Sequence, residues 1–303
     1  RTIKGRPRLR SGYRLEGILA DGKLNMPKLL AGSEGTLAVI VEATLETVPT
    51  LPGRAMGLLL FDKLEPAFDA ALEILSFRPL ACDLMDRRHL GLAREAESWF
   101  ERLIPESVEA AVLIEIEGLD VEEARQELQG LIENLRTRKR LEFSARITTD
   151  ESEINFLWKL ARIPQPIRSL GSRKSRPLPV ADDVAVPPEQ LGTCVFALQH
   201  LLNKLEVSAA VYCQVGQGQI HLQPFLQESE LSDAQRIRQV CDAVYEHVLS
   251  CGGNVGLGRG CGLSRSAYLA RQWGPEYALL VELKRVFDPL GLLNPGKIVA
   301  DSY

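Results

Sequence analysis

Two glycine-rich turns supply the backbone groups with which this chain could hold a ligand. The first, Gly32-Ser33-Glu34-Gly35-Thr36, directly precedes an apolar run, and glycine lets backbone N–H groups approach a polar ligand closely. The second lies near the end of the sequence, where the Asp-Pro, Leu-Gly and Asn-Pro-Gly steps of residues 288–296 require two sharp bends. The competing structural interpretations are a tight turn into a strand for the first segment and a C-terminal docking turn for the second.

A third glycine-rich segment, residues 256–262, has the G-x-G-x-G spacing of a phosphate-binding loop. A lone match of this kind is a weak signal. A loop that needs its glycines for backbone conformation is the favoured alternative.

The histidines and cysteines give little sign of a metal site by spacing alone. His89, His200 and His247 fall on predicted helices, where packing or surface roles are more common than ligation. The six cysteines include no C-x-x-C pair, so the spacing typical of zinc and iron–sulfur sites is absent. We expect most of them to be small, reduced core residues.

The composition is that of an ordinary soluble protein, with 45% apolar and 25% charged residues among 303. The net charge of −4 provides no electrostatic footprint for nucleic acid. No apolar run approaches the length of about 18 residues that a membrane span requires. Reduced thiols and the lack of a visible signal peptide favour the cytoplasm.

The hydrophobic periodicity predicts strands that alternate with helices. The predicted strands are residues 54–61, 109–117, 143–148, 180–186, 207–214 and 219–223. The predicted helices are residues 66–76, 121–138, 187–205, 232–250 and 276–287, with Asp120 as the N-cap of the second. This order indicates an α+β protein in which helices cover one face of a sheet, in ferredoxin-like units.

Several motifs together resemble those of the FAD-linked oxidases of the vanillyl-alcohol-oxidase type, the family that includes D-lactate and glycolate dehydrogenases. The motifs are Ser11-Gly12-Tyr13-Arg14-Leu15, the Gly-Ser-Glu-Gly-Thr-Leu segment at residues 32–37, Asp182-Asp183-Val184-Ala185-Val186-Pro187, and Asn294-Pro295-Gly296-Lys297. They occur in the family's order over nearly the whole chain.

The resemblance implies three regions and FAD as the cofactor. Residues 1–50 would be the C-terminal fragment of the FAD-binding domain, 51–269 a ferredoxin-like substrate cap domain, and 270–303 a segment returning to the FAD domain. The pyrophosphate-binding half should precede Arg1, and the first Met is Met26, so we expect this chain to be a fragment that binds FAD poorly and is inactive by itself. The implied flavin contacts are Gly32, Ser33, Glu34, Gly35, Thr36, Ile40 and Asn294.

The family's metal ligands are largely replaced in this sequence. The family pattern places two histidines in the segment matched by residues 213–226, where this chain has Gln214 and His221. A Glu-His pair of the family corresponds here to Gly258 and Arg259. One imidazole cannot hold a catalytic divalent ion, which normally has about three protein ligands, so we expect no metal.

The family's carboxylate clamp is also altered, with Ala161 at a position where the family has arginine, and Gln223 replaces an arginine of the branch fused to iron–sulfur domains. Arg162 is adjacent to the first of these, but a shift of one residue on a helix turns a side chain by about 100°.

The remaining polar groups suggest an altered but usable site. His221 could act as the base, because histidine ordinarily titrates near pH ~6.5. Arg259 stays protonated and could bind a carboxylate as a fork of donors. The implied activity is oxidation of a 2-hydroxy acid with FAD as hydride acceptor.

The competing hypothesis is a non-catalytic subunit or region that keeps the fold for assembly. The electron acceptor is not specified by the sequence. An iron–sulfur domain or subunit is one candidate, because Gly274-Pro275-Glu276 and the residues after His221 also resemble the branch of the family fused to such domains.

Overall fold

The computed structural model describes residues 11–162, 175–177, 181–227 and 234–300. The described chain divides into two compact units. The first comprises the described parts of residues 1–47, 183–187 and 244–303, and the second those of residues 48–182 and 188–243. The predicted starts of the strand at residue 180 and of the helix at residue 232 lie outside the described residues. The predicted boundaries at residues 50 and 269 refer to a cofactor-binding domain and stay predictions.

The elements are numbered in chain order. The strands are β1 (Leu19–Ala20), β2 (Lys23–Leu24), β3 (Gly53–Phe61), β4 (Ala81–Asp86), β5 (Ala110–Gly118), β6 (Ser144–Thr148), β7 (Ser175–Pro177), β8 (Val184–Ala185), β9 (Ala209–Gln214) and β10 (Gln219–Gln227). The helices are α1 (Met26–Leu30), α2 (Leu64–Ile74), α3 (Arg87–Ala96), α4 (Ser98–Leu103), α5 (Val121–Thr137), α6 (Glu151–Leu157), α7 (Leu191–Lys204), α8 (Ala234–Ser250), α9 (Gly262–Trp273) and α10 (Tyr277–Phe287).

The second unit is built on an antiparallel sheet with the strand order β6-β3-β5-β4-β9-β10-β7. The hairpin predicted around Gly216 and Gly218 is confirmed, since β9 and β10 pair with Gln214 opposite Gln219. The predicted N-cap of α5 is also confirmed, because the Asp120 carboxylate accepts from the N–H of Glu123 at 2.8 Å. These features are set by neighbouring residues, which explains why the sequence indicates them well.

The α+β class is confirmed, but helices cover both faces of the sheet rather than the one face predicted. A Cβ on Gly57 would lie 3.2 Å from Leu128 of α5, so α5 covers the face to which Gly57 belongs. Met56 and Leu58 alternate to the opposite face, where they join a buried cluster with residues of α3, α4 and α6. Strand β5 is consequently buried along almost its whole length.

The first unit combines distant parts of the sequence. Helices α9 and α10, the loop before α9 and the turns after α10 pack with the segment around Leu29 and Thr36. In contrast, the apolar run that follows Thr36 forms no regular element, and Val41 is 93% exposed.

Two predictions from composition are also testable in this structure. Of the cysteines, Cys251 is half-buried and the others are buried and reduced, as expected for core residues. Among the described residues, no helix combines the length and apolar character needed to cross a membrane.

Candidate active site

The predicted cofactor turn adopts a backbone that only glycine-rich sequence tolerates well. Gly32, Glu34 and Gly35 all have positive φ, at 82°, 55° and 67°. The turn is closed by the Ser33 carbonyl, which accepts from the N–H of Thr36 at 3.0 Å and from its hydroxyl at 2.7 Å. A Cβ added to Gly32 would meet no atom within 4 Å, so the backbone is open on that side.

The side chains of this turn differ in accessibility. Ser33 and Thr36 are buried, and the Thr36 hydroxyl lies 2.7 Å from the hydroxyl of Tyr13. Ile40 is exposed. Any ligand contact made by the turn therefore involves the backbone at its glycines rather than the Thr36 hydroxyl.

The C-terminal turn contacts the first turn. The Asn294 amide donates to the carbonyl of Glu34 at 2.6 Å. A Cβ on Gly35 would lie only 2.8 Å from the same amide nitrogen, so Gly35 allows this close approach. The structure thus brings together Glu34, Gly35 and Asn294.

A buried ion pair that the sequence did not reveal holds both turns. Lys284 on α10 is completely buried, and its ammonium donates to the carbonyls of Thr36 at 2.9 Å and Leu293 at 2.6 Å. Its third partner is the carboxylate of Asp288, which also accepts from the N–H groups of Leu292 and Leu293. Burial by itself raises the pKa of Asp288, but these hydrogen bonds, led by that of Lys284, outweigh burial and hold the pKa at about 2.

The loop before α9 is held by two carboxylates of the protein. Asp183 accepts from the N–H groups of Gly258 at 2.9 Å and Arg259 at 2.7 Å, and it pairs with Arg265 at 3.1 Å. Glu34 accepts from the N–H groups of Cys261, the N-cap of α9, and of Gly262, the first residue of that helix. Because these amides are already bonded to carboxylates, the loop does not offer them to phosphate, and the alternative of a structural glycine loop is favoured.

Arg259 is exposed at the tip of this loop, and its backbone N–H donates to Asp183. Gly258, at the family's glutamate position, is exposed as well. The structure therefore presents a cation at the family's histidine position and a glycine at its glutamate position.

His221 lies on β10 in the second unit, and a carboxylate orients its ring. Its Nδ1 is 2.8 Å from the carboxylate of Asp182, and the two side chains are nearly buried. Since an ionised carboxylate only accepts, the hydrogen of this contact belongs to Nδ1. Tyr212, opposite His221 in the β9–β10 pairing, stacks on the imidazole with 5.2 Å between ring centroids.

Tyr212 connects this histidine to a second buried carboxyl group. Its hydroxyl donates to Asp83 on β4 at 2.6 Å. Burial raises the pKa of Asp83 to about 6, although the hydrogen bond from Tyr212 acts in the opposite direction. Gln214, which replaces the family's first histidine, donates its amide to the Tyr212 hydroxyl at 3.4 Å. Neither Asp182 nor Asp83 was predicted, because each meets its partner only through the sheet.

The structure also shows the surroundings of the other residues that the sequence analysis singled out. Ala161 packs against the apolar cluster under the sheet, and Arg162 is exposed, so this arginine does not take over the vacated position in the structure. The side-chain carbonyl of Gln223 is buried and has no hydrogen-bond partner in the described part of the chain. His89 is buried and its Nε2 is 2.7 Å from the carbonyl of Leu160, which confirms its predicted packing role.

Residues 52–298 match the family model of the FAD linked oxidases, C-terminal domain. The chain belongs to this family. FAD is the cofactor of FAD-linked oxidases, and the open backbone at Gly32 fits the approach of a flavin ring edge. Which residues of this oxidase contact FAD stays a prediction.

Named relatives of this FAD-linked oxidase act on hydroxy acids. The chain is 27% identical over 296 residues to the D-2-hydroxyglutarate dehydrogenase of Pseudomonas putida, covering 95% of this chain and 29% of that protein. It is 25% identical to the D-lactate dehydrogenase of Archaeoglobus fulgidus, covering 94% of this chain and 63% of that one. It therefore spans only part of the length of these relatives.

Solved structures show the same fold at low identity. The 4-ethylphenol oxidase of Gulosibacter chungangensis matches with a TM-score of 0.57 and 14% identity, over 84% of this chain and 55% of that one. An alkyldihydroxyacetonephosphate synthase matches with a TM-score of 0.57 and 17% identity, over 92% of this chain and 50% of that one. At such identities the likeness concerns the fold alone.

Proposed function

We propose that this FAD-linked oxidase is part of a dehydrogenase that oxidises a 2-hydroxy acid to the corresponding 2-oxo acid. The observation that carries the proposal is the contact of 2.8 Å between His221 Nδ1 and the Asp182 carboxylate. A buried carboxylate that fixes the tautomer of an imidazole is the arrangement of a general base. The relatives named for D-2-hydroxyglutarate, D-lactate and glycolate oxidation support the substrate class.

His221 removes the proton of the substrate hydroxyl. The proton passes to Nε2, whose lone pair has no partner among the described residues, while the Nδ1–H stays on Asp182. The imidazolium that forms is stabilised by this carboxylate, and Tyr212 restricts the ring from one side. The electron pair of the former O–H bond then forms the carbonyl as the hydride leaves the substrate carbon.

Arg259 binds the substrate carboxylate. A guanidinium presents planar, paired N–H donors that match the two oxygens of a carboxylate, and it cannot act as a base. Its exposure at the loop tip leaves the side chain accessible to a substrate, and Asp183 fixes the backbone from which it extends.

The FAD is held by the turn at residues 32–36 and by Asn294, with Ile40 alongside. When bound, FAD supplies the chemistry of accepting a hydride with its two electrons. We propose that no metal ion takes part, since Gln214, Gly258 and Arg259 stand where the family supplies ligands.

We propose that an iron–sulfur domain or subunit is the electron acceptor that reoxidises the flavin. We also propose that the protein is located in the cytoplasm. Support for these points comes from the sequence motifs and the reduced cysteines.

The test uses the full-length protein with bound FAD. D-2-hydroxyglutarate, D-lactate and glycolate are offered with an artificial electron acceptor, and turnover is compared between wild type, His221→Asn and the exposed control His200→Asn. We expect turnover of at least one 2-hydroxy acid, lost in the His221 variant and kept in the control. Bound FAD without turnover of any 2-hydroxy acid would favour the non-catalytic alternative.

A further inference from the structure

The carboxylate of Glu34 connects the predicted cofactor turn to the loop that carries Arg259. Its Oε1 accepts from the N–H of Cys261 at 2.6 Å and its Oε2 from the N–H of Gly262 at 2.8 Å. These amides begin α9, where N–H groups lack helical partners and a negative charge is favourable. One side chain of the turn thus satisfies two donors of a segment more than two hundred residues away.

The loop is shaped to receive this carboxylate closely. A Cβ on Gly260 would lie 2.7 Å from the Cδ of Glu34 and 2.9 Å from its Oε2. Any side chain at position 260 would therefore displace either the loop or the carboxylate. The glycine at position 260 is an observation independent of the two hydrogen bonds, and it too indicates that the loop and the Glu34 carboxylate are in close contact.

Arg259 lies between two such anchors. Asp183 binds its own N–H and that of Gly258, and Glu34 binds the N–H of Cys261 two residues later. With the backbone fixed on both sides, the direction in which the guanidinium extends depends on both carboxylates. Glu34 differs from Asp183 because its backbone belongs to the turn that Asn294 also contacts.

We propose that Glu34 is a positioning residue for substrate binding, which places Arg259 in a fixed relation to the cofactor turn. This inference rests on the proposed function, in which Arg259 binds the substrate carboxylate. It assigns to Glu34 a task beyond the predicted flavin contact: the turn that lies along the cofactor also determines where the substrate anion is held.

The first test is Glu34→Gln in the full-length, FAD-bound protein. Glutamine is nearly isosteric but places an NH₂ donor opposite one of the two N–H groups, so that one charge-assisted hydrogen bond is lost. We expect KM for the 2-hydroxy acid to rise roughly 10-fold with kcat changed less than about 3-fold. The exposed control Glu282→Gln should keep the wild-type KM.

A measurement that does not depend on turnover accompanies it. Hydrogen–deuterium exchange of the peptide containing residues 258–262 should be faster in Glu34→Gln than in wild type, because its amides lose an acceptor. Should the glutamine variant not fold, Gly260→Ala is the second variant, because its Cβ would clash with Glu34 and displace the carboxylate or the loop without a change of charge. We expect the same rise in KM from this variant.

A double-mutant cycle with Arg259→Met separates this inference from the proposed function. If Glu34 acts through Arg259, adding Glu34→Gln to Arg259→Met should change KM no further. Two outcomes would overturn the inference and leave the proposed function standing. In the first, the two substitutions raise KM independently, so that their effects multiply in the double variant. In the second, KM is normal in Glu34→Gln and Gly260→Ala but raised in Arg259→Met. A wild-type KM in Arg259→Met would overturn both.

Discussion

The ammonium of Lys284 lies 2.5 Å from the carboxylate of Asp288, and both side chains are buried. Together they bind the carbonyl of Thr36 and the backbone of Leu292 and Leu293, so a single ion pair fixes both turns predicted to face the cofactor. Buried pairs of this kind contribute little net stability as a pair, but removal of one partner leaves a charge without compensation.

Lys284→Met should therefore lower the thermal midpoint of the protein strongly, by roughly 5–15 °C. Thermal unfolding followed by circular dichroism measures the change. Lys284→Met combined with Asp288→Asn should recover part of the loss, because asparagine still accepts from a backbone amide without carrying a charge. A double variant less stable than the single one would contradict this account.

Asp83 should make stability depend on pH. Its pKa is raised by burial from 3.8 to about 6, so the folded state binds its proton more tightly than the unfolded state. Its contribution is fully present below about pH 4 and is lost as the pH rises through about 6, by on the order of 2–3 kcal/mol.

The measurement is the free energy of unfolding of wild type and Asp83→Asn at several pH values between 4 and 7. The difference between the two proteins isolates Asp83, which is necessary because burial also raises the pKa of Asp86 to about 6. Tyr212→Phe should enlarge the loss and extend it to higher pH, since it removes a hydrogen bond that lowers the pKa of Asp83. Parallel curves for wild type and Asp83→Asn would show that Asp83 does not titrate in this range.

Asp182→Asn should lower kcat by roughly 10- to 100-fold, and His221→Asn by roughly 100-fold or more, with FAD content unchanged. The asparagine amide can hold the imidazole in the wrong tautomer, and it cannot stabilise the imidazolium as a carboxylate does. Steady-state kinetics of the full-length protein, with His200→Asn as the control, give the comparison. Full activity in Asp182→Asn would remove the base assignment.

Arg259→Met should raise KM for the 2-hydroxy acid by about 10- to 100-fold, since it removes charge-assisted hydrogen bonds to the carboxylate. The exposed residue Arg285 on α10 supplies the control, as Arg285→Met. Substrate analogues in which the carboxylate is an amide should not distinguish wild type from Arg259→Met.

Treatment with EDTA should leave the activity unchanged, because the side chains at the family's ligand positions include an amide and a guanidinium. Activity assays before and after chelation test this directly. Loss of activity that zinc or manganese restores would establish a metal requirement.

The sequence indicated features that depend on neighbouring residues. The cap at Asp120 and the hairpin between β9 and β10 both follow from local chemistry. Strand β4 and helix α4 were not predicted, because their short segments lack an extended periodicity, and α3 was indicated only as a helical segment around His89. Because β4 and α4 were missing from the prediction, the predicted sheet had helices on only one face.

Contacts between distant residues could not be predicted in the same way. Lysine in the last turn of an amphipathic helix is ordinarily exposed, so nothing local marks Lys284 as buried. His221 was selected by resemblance, but its partner Asp182 lies 39 residues away and is brought close by the sheet. Glu34 was predicted to contact the cofactor, whereas its carboxylate is bonded to the beginning of α9.

The discontinuous make-up of the first unit has a consequence for biosynthesis. Glu34 leaves the ribosome 227 residues before its partner Cys261. At about 5–20 residues per second, this interval lasts on the order of 10 to 45 seconds. The second unit, made largely from the intervening sequence, can fold during this time, whereas the turn at residues 32–36 must wait for the C-terminal segment. A nascent chain halted before α10 presents this turn without Lys284, whose ammonium binds the Thr36 carbonyl in the folded protein.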